Sequence, residues 1–503
     1  MSMPLWLEKR SLLTPQRIAV QMGDQVLTFI ELRKRARALA LKLKALHIKK
    51  GDVVACVSSN DIAVVEIVHA LHYVGAIFLP LNPRLSAYEQ AFQLKDANVS
   101  LLIYASHLMD EQKHAQFTAL QLKSIELQAL MKLKQTQQQE DMLESTVDLD
   151  AIQTIMYTSG TTGTPKGVLI SANNHWTSAI GSALNLGLSE EDCWLLAAPM
   201  FHISGLSILM RSVIYGMRVV VLDKFDEKAA NDAIMNQGIT IMSVVSNMLA
   251  RMLQQLGEKS YPNQFRCMLL GGGPAPKPLL EACVAKHIPV VQTYGMTETA
   301  AQIVTLPPAY MLSKLGSAGK PLFQADLKIM NDDRVCEPNE AGDIYVHGAQ
   351  VTKGYLNRPE ANATSFVNGW LNTGDVGYLD EEGFLYVLDR RKDMFVSGGE
   401  NVYPAEIEAA LLAHEYVLDA GVTSVEDDIW GYVGAAYIVL TEAALADKSK
   451  FGEATIKGKI SESLQHRLAK YKWPKYLYFV DQLPRNASNK LLRRELATLL
   501  RKM

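Results

Sequence analysis

Short β-branched runs alternate with amphipathic stretches through the first eighty residues. Ile18–Met22, residues 26–29 and Val53–Val57 are apolar enough to be strands. Between them, residues 30–46 set Leu32, Ala36, Leu39 and Leu43 at steps of four and three, which is one face of a helix. Strands that alternate with helices predict a parallel α/β sheet. The pattern resumes near residue 152, and residues 217–222, 240–245, 268–270 and 289–291 each read as a buried strand. Residues 105–146, rich in Gln, Lys and Glu, predict surface helix or loop. Beyond Gly316 the texture changes to short alternating strands with Gly and Asn/Asp turns, which predicts a small antiparallel subdomain.

Composition narrows this picture. A chain of 503 residues with 48% hydrophobic and 20% charged residues is globular and long enough for several cores. Its net charge of -3 excludes a nucleic-acid binder built on excess positive charge. Five widely spaced cysteines with no Cys-x-x-Cys point to a reducing compartment. Glu8, Lys9 and Arg10 interrupt the start before any signal-peptide centre forms. No apolar run approaches the roughly 20 residues that span a bilayer, so the expectation is a cytoplasmic protein with neither membrane nor nucleic-acid partner; a homo-oligomer is compatible with it. From residue 457 to 502 twelve Lys/Arg face three acids, which reads either as an anionic small-molecule partner or as a solvated helix face.

The most informative string is Tyr157-Thr158-Ser159-Gly160-Thr161-Thr162-Gly163-Thr164-Pro165-Lys166-Gly167. It follows an apolar run and predicts a loop between two strands. Its glycines let backbone approach an anion, its hydroxyls and amides supply donors for phosphate oxygens, and Lys166 adds a positive charge. Pro165 stands where a P-loop requires its second glycine and Gly167 where it requires a hydroxyl, so the loop is not a P-loop. Further on, Tyr294-Gly295-Met296-Thr297-Glu298 follows a predicted strand, and Leu270-Gly271-Gly272-Gly273-Pro274 is a glycine turn at the end of another, where α/β sheets bind ligands. Thr373-Gly374-Asp375 offers an acid for two ribose hydroxyls. Asp389-Arg390-Arg391-Lys392-Asp393 lies at a change of texture, and Leu483-Pro484-Arg485-Asn486-Ala487-Ser488-Asn489-Lys490 carries a lysine close to the end.

With these six strings in this order, the chain from about residue 10 to 500 resembles the adenylate-forming superfamily of acyl-CoA synthetases, luciferases and peptide-synthetase adenylation domains. The resemblance implies an N-terminal AMP-binding domain, residues 1–388, made of α/β subdomains plus the antiparallel one, and a small mobile α+β C-terminal domain, residues 389–503. It assigns the ATP phosphates to Thr158, Ser159, Gly160, Thr161, Thr162, Gly163 and Lys166. Tyr294 would pack on adenine beside Gly271, Gly272 and Gly273, Thr297 would touch the α-phosphate, and Asp375 and Arg390 would hold the ribose. Glu298 would ligate Mg²⁺. Lys490 would bridge the substrate carboxylate and the α-phosphate, neutralising charge that builds up on transfer. Lys392 matches the hinge, about which rotation would bring Gly398 and Gly399 to line a coenzyme A channel.

The acid site is sought in residues 200–216, a loop followed by a helix. Arg211 interrupts its apolar face and either snorkels to solvent or binds a second carboxylate on the substrate, since a buried charge needs a partner. His202 reads as a structural histidine or as a catalytic and acyl-site residue. The strings FHISGLS, SVIYGM, LLGGGPAP, YGMTETAAQIVTL, KLGSAGKPLF and LPRNASNKLL resemble the 2-succinylbenzoate–CoA ligases of menaquinone biosynthesis. That resemblance implies 2-succinylbenzoate, ATP and coenzyme A as substrates and Mg²⁺ as cofactor, with His202, Ser204, Gly205, Arg211 and Gln302 lining the acid pocket. The alternatives are another aryl or fatty acyl-CoA ligase, whose monoacid would leave Arg211 no anion, and an amino-acid adenylation module, which would need a following carrier domain. A nucleotide sensor on the same fold would have no use for Lys490.

Overall fold

Thr28 starts the first long helix. Its hydroxyl accepts the Glu31 backbone N–H while the Glu31 carboxylate accepts the Thr28 N–H at 2.8 Å, a reciprocal cap that sets the beginning of Phe29–Ala45 one residue earlier than its apolar spacing predicts. Ser171 and Asn174 cap Ala172–Leu186 in the same way. Arg10 closes a helix at the other end: its guanidinium donates to the carbonyls of Val213 (2.9 Å) and Ile214 (2.6 Å), which end Ile203–Tyr215 with no intrahelical partner. The computed structural model describes all residues except 86, 135–141, 159–164, 274, 391–394, 398–399, 403, 428–429, 466–467, 469, 487–490 and 500–503, and the side chains of residues 389–390, 396, 400–401, 431, 465, 471, 497 and 499 are likewise not described.

Helix Ile62–Val74 is buried at every position except His72. A helix apolar on all sides must be enclosed, and one core cluster joins it to Phe29–Ala45 and to residues of two sheets, Val54 and Phe78 of one and Trp194 and Val219 of the other. The first sheet runs in the spatial order 166–171, 152–158, 77–81, 53–57, 101–104, 124–126, and the second, of nine strands, 320–321, 301–306, 290–296, 267–271, 241–245, 193–196, 218–221, 18–22, 25–28. Their inner strands are parallel, as expected, but each sheet has an antiparallel margin: Lys166–Ser171 on Ile152–Thr158, and Ala301–Leu306 on Val290–Met296. Residues 105–146 differ from expectation. Beside two helices they contain the strand Ser124–Glu126, which extends the first sheet parallel to Leu101–Tyr104; three residues at a sheet margin are too short to show a period of two.

The antiparallel subdomain is built on Asp326–Asn331, Gly342–His347 and Trp370–Leu379, and Leu385–Arg390 joins its last strand, so this sheet runs on through the junction expected at 388/389. The C-terminal part has a core of its own around Ile407, Val422, Ile438, Ile456 and Ile460, organised on the hairpin Val417–Asp427 and Gly431–Leu440. No helix among the described residues is long and apolar enough to cross a membrane.

Two core histidines make folding sensitive to acid. His69 and His175 are each 2% exposed, and burial pushes both down to about 3. The folded state keeps them neutral while the unfolded chain takes up protons near the ordinary imidazole value. Stability is therefore complete above that value and falls as pH drops toward 3, by about 1.4 kcal/mol per pH unit for each histidine. Urea midpoints between pH 7.5 and 5 should fall along this slope. His175→Asn should flatten it by about one proton; an unchanged slope would refute the assignment.

Candidate active site

The roots of the phosphate-loop string are held by residues far away in the chain. Ile152–Thr158 and Lys166–Ser171 pair antiparallel with Thr158 opposite Lys166, so the expected loop between two strands is there, while Ser159, Gly160, Thr161, Thr162 and Gly163 lie outside the described residues. At one root the Tyr157 hydroxyl donates to Asp96 at 2.7 Å, and burial together with that bond keeps the phenol protonated far above its ordinary range. Arg358 grips the same Asp96 with both terminal nitrogens, at 3.0 and 3.1 Å, and reaches the Pro165 carbonyl at 3.4 Å. At the other root Leu356 donates to the Gly167 carbonyl and Leu169 to that of Gly354. Gly167 is tightly enclosed: a Cβ there would sit 3.0 Å from Ile155 and 3.2 Å from the Tyr157 ring, so either side chain would have to give by a few tenths of an ångström.

The segment that clamps this strand also carries Tyr355. The Lys166 ammonium sits over the Tyr355 ring, 4.9 Å from its centroid, and the Tyr355 hydroxyl donates to Glu298 Oε1 at 3.0 Å. Glu298 is 8% exposed and lies in the single turn Thr297–Thr299, which is fixed by the Met296 N–H donating to the Thr299 hydroxyl and by the Thr352 N–H donating to the Glu298 carbonyl at 2.7 Å. Thr297 and Glu298 thus share one short turn near Lys166. Among the described residues no cluster of three or more His, Cys, Asp or Glu could hold a metal. A lone carboxylate with neighbouring hydroxyls suits Mg²⁺, which takes oxygen ligands and commonly uses one or two carboxylates plus substrate phosphates.

A third group of motif residues converges across 81 positions of sequence. Tyr294 donates its hydroxyl to Asp375 Oδ2 at 2.8 Å, so the two side chains expected at adenine and ribose touch. Tyr294 does not follow its strand but lies inside it: Val290–Met296 runs five residues beyond the apolar run because Ala301–Leu306 pairs with its second half. The strand bulges between Tyr294 and Gly295, where a Cβ would stand 2.1 Å from the Ala301 carbonyl oxygen. Asp375 is anchored by its own N–H donating to the Thr373 hydroxyl and lies opposite Arg390 in register. The glycine turn follows Cys267–Gly271, and Gly272 and Gly273 have φ of +83° and +157°, which side chains disfavour.

Of the residues expected at the acid site, Ser204, Gly205 and Arg211 lie on helix Ile203–Tyr215, His202 is its N-cap, and Gln302 lies on strand Ala301–Leu306. Arg211 does not snorkel. It is 2% exposed, lies 5.1 Å above the Trp194 ring and donates to Gln302 Oε1 at 3.4 Å. No carboxylate pairs with it among the described residues, and its Nε and the Gln302 Nε2 are buried without a hydrogen-bond partner. Burial lowers the guanidinium's affinity for its proton. His202 is the N-cap residue of that helix without capping it through its side chain, packs on Phe201 at 4.7 Å and is pushed down to about 4 by burial and by nearby Arg84, so it is neutral at pH 7. Ser204 is exposed. Gly205 has a packing role whatever else it does, since its Cβ would meet the Pro199 carbonyl oxygen at 2.3 Å.

Lys392, Gly398, Gly399 and Lys490, and the side chain of Arg390, lie outside the described residues. Tyr355, Asp96 and Arg358 are the residues that sequence reasoning missed. The short string Gly354-Tyr355-Leu356-Asn357-Arg358-Pro359 was the available signal, a polar turn with one large aromatic.

A family model described as AMP-binding enzyme matches residues 7–356, and one described as AMP-binding enzyme C-terminal domain matches residues 406–490. The chain is 54% identical over 499 residues to a 2-succinylbenzoate–CoA ligase of Geobacillus sp. (strain WCH70), covering 99% of this chain and 98% of that one. Among solved structures it is similar to the o-succinylbenzoate CoA synthetase of Bacillus subtilis in complex with the acyl-adenylate intermediate OSB-AMP, at 47% identity and TM-score 0.89 over 99% of this chain and 98% of that one. The same Bacillus subtilis enzyme with ATP and magnesium ion matches at 47% identity and TM-score 0.88, over 99% and 100% of the two chains.

Proposed function

The chain belongs to the AMP-binding enzyme family, and from that premise we propose that it is an AMP-forming acid–CoA ligase that converts 2-succinylbenzoate to 2-succinylbenzoyl-CoA in menaquinone biosynthesis. The observation that carries the choice of acid is Arg211, a guanidinium buried against Trp194 whose one hydrogen-bond acceptor among the described residues is the Gln302 side-chain Oε1. An uncompensated buried charge is costly. The benzoate carboxylate of a diacid supplies the missing anion while the succinyl carboxylate remains free to react.

In the first half-reaction the succinyl carboxylate attacks the α-phosphorus of ATP, forming a mixed anhydride and releasing pyrophosphate. The strand ends at Thr158 and Lys166, with residues 159–163 between them, hold the β- and γ-phosphates. Tyr294 packs on adenine against the wall Gly271 to Gly273, Thr297 contacts the α-phosphate, and Asp375 with Arg390 receives the ribose hydroxyls. The Tyr294–Asp375 hydrogen bond supports that placement. Glu298 holds Mg²⁺, which when bound neutralises phosphate charge. Lys490 bridges the two anionic reactants. His202, held neutral by burial, shapes the acyl site with Ser204, Gly205 and Gln302 and keeps one ring N–H as a donor.

In the second half-reaction the coenzyme A thiol attacks the anhydride carbonyl and AMP leaves. A division into residues 1–388 and 389–503, with Lys392 as the hinge, allows one site to serve both steps: rotation withdraws Lys490 and brings Gly398 and Gly399 to the thiol channel. The C-terminal part's separate core supports that division. The reading places the enzyme in the cytoplasm with small anionic molecules as its partners, and the near-neutral net charge supports this over nucleic acid.

The test is AMP release with coenzyme A and a panel of acids: 2-succinylbenzoate, benzoate, 4-phenylbutyrate and a medium-chain fatty acid. Turnover should be highest with 2-succinylbenzoate. Equal or faster turnover of a monoacid would replace this reading with that of a general aryl or fatty acyl-CoA ligase.

A further inference from the structure

Trp194 lies inside the nine-stranded sheet. Its strand, Cys193–Leu196, pairs in parallel with Arg218–Val221 on one side and with Ile241–Val245 on the other, so its backbone is held from both sides. Register sets Trp194 beside Ile241, and Ser243, two residues further along, shares that face of the sheet. The indole Nε1–H reaches across and donates to the Ser243 hydroxyl oxygen at 3.1 Å. Ser243 is the one polar side chain in a strand otherwise made of Ile241, Met242, Val244 and Val245, where a buried hydroxyl is costly without a hydrogen bond. The ring is thus fully buried and fixed at its strand and at its tip. Over it stands Arg211, whose guanidinium carbon is 5.1 Å from the ring centroid.

From this geometry we infer that Trp194 is a positioning residue for acid selection: its ring fixes the Arg211 guanidinium and balances part of the charge while leaving N–H donors for a carboxylate. This deepens, and rests on, the reading that Arg211 binds the second carboxylate of a diacid. A guanidinium carries five N–H donors in a fixed fork. Among the described residues one of them goes to Gln302 Oε1, at 3.4 Å, and Nε has no partner. A carboxylate in the place of Trp194 would accept from the fork, and an incoming substrate would have to displace it. The negative face of an aromatic ring attracts the cation without accepting in that way. Arg211 therefore meets its acid already ordered, and less side-chain freedom is lost on binding.

The test compares 2-succinylbenzoate with 3-benzoylpropionate, which has the same skeleton without the ring carboxylate. AMP release by the full chain gives kcat and KM for each acid and for ATP, in wild type, Trp194→Phe, Trp194→Leu, Arg211→Gln and the Leu/Gln double variant, with thermal melting as the control for folding. The ratio of kcat/KM for the two acids should fall about tenfold in Trp194→Leu, and about threefold in Trp194→Phe, which keeps a ring but loses the tether to Ser243. The KM for ATP should not change. On the Arg211→Gln background Trp194→Leu should leave the ratio where it is, because both act through one guanidinium. A residue that only fills the core would lower turnover of both acids alike, and that result overturns the inference. So does a further fall of the ratio in the double variant, or an unchanged ratio in Trp194→Leu where Arg211→Gln lowers it. If Trp194→Leu does not fold, Trp194→Phe decides by the same ratio. If Arg211→Gln itself leaves the ratio unchanged, the acid assignment falls and the inference falls with it.

Discussion

Replacing Lys490 with alanine should reduce 2-succinylbenzoate-dependent ATP–pyrophosphate exchange by ~10²-fold to 10³-fold, the usual cost of removing one preorganised contact to a developing charge. A carboxylate that attacks an anionic phosphorus is repelled as it approaches. A lysine between the two neutralises charge where it accumulates, and since that need is greatest at the transition state the loss should appear in kcat more than in the KM for either substrate. Thioester formation from supplied acyl-adenylate and coenzyme A should stay close to wild type, because in the proposed second orientation Lys490 has left the site. Pyrophosphate exchange followed isotopically and thioester formation followed by chromatography separate the two halves. Equal loss of both would refute the assigned role.

Arg211→Gln should raise the KM for 2-succinylbenzoate by an amount equivalent to about 1.5–3 kcal/mol, the worth of a hydrogen bond to a charged group, and leave the KM for ATP nearly unchanged. Its effect on the free protein should have the opposite sign. Arg211 is buried with an unpartnered Nε and no carboxylate among the described residues, so in the free protein its desolvation is repaid only in part, by Trp194 and Gln302. The glutamine variant should melt at the same temperature as wild type or higher. A protein that binds its acid poorly and folds slightly better would mark Arg211 as a site where stability is given up for recognition. If both KM values stay at the wild-type level, the diacid reading fails.

How much of this was legible in the sequence depends on the distance over which each feature is determined. Ile18–Met22 and Val53–Val57 were readable because β-branched runs declare themselves locally, and Phe29–Ala45 because Leu32, Ala36, Leu39 and Leu43 repeat at helical spacing. The second half of Val290–Met296 was not, since Tyr294, Gly295 and Met296 become strand through pairing with Ala301–Leu306 rather than through hydrophobicity. The motif strings placed Glu298, Asp375 and Arg211 among the candidates, and Tyr294 proved to touch Asp375. What sequence could not reach was the support behind them. Tyr355 is 57 residues from Glu298, and Arg358 is 262 from Asp96; such contacts leave no local periodicity. The burial that decides between the two readings of Arg211 depends on Trp194 and Gln302, each on a different strand.

Gly205 limits how far the proposed acid site could be re-aimed toward other acids. Any side chain there would drive the first turn of Ile203–Tyr215 away from Pro199 and carry Arg211, two turns further along the same rigid helix, out of line with Gln302. Reshaping the proposed site for a new substrate therefore has to start at positions that do not set the helix axis. Exposed Ser204 is one such position, and Gln302, on a separate strand, is another. A library that randomised the whole of residues 202–206 would spend most of its members on misplaced helices.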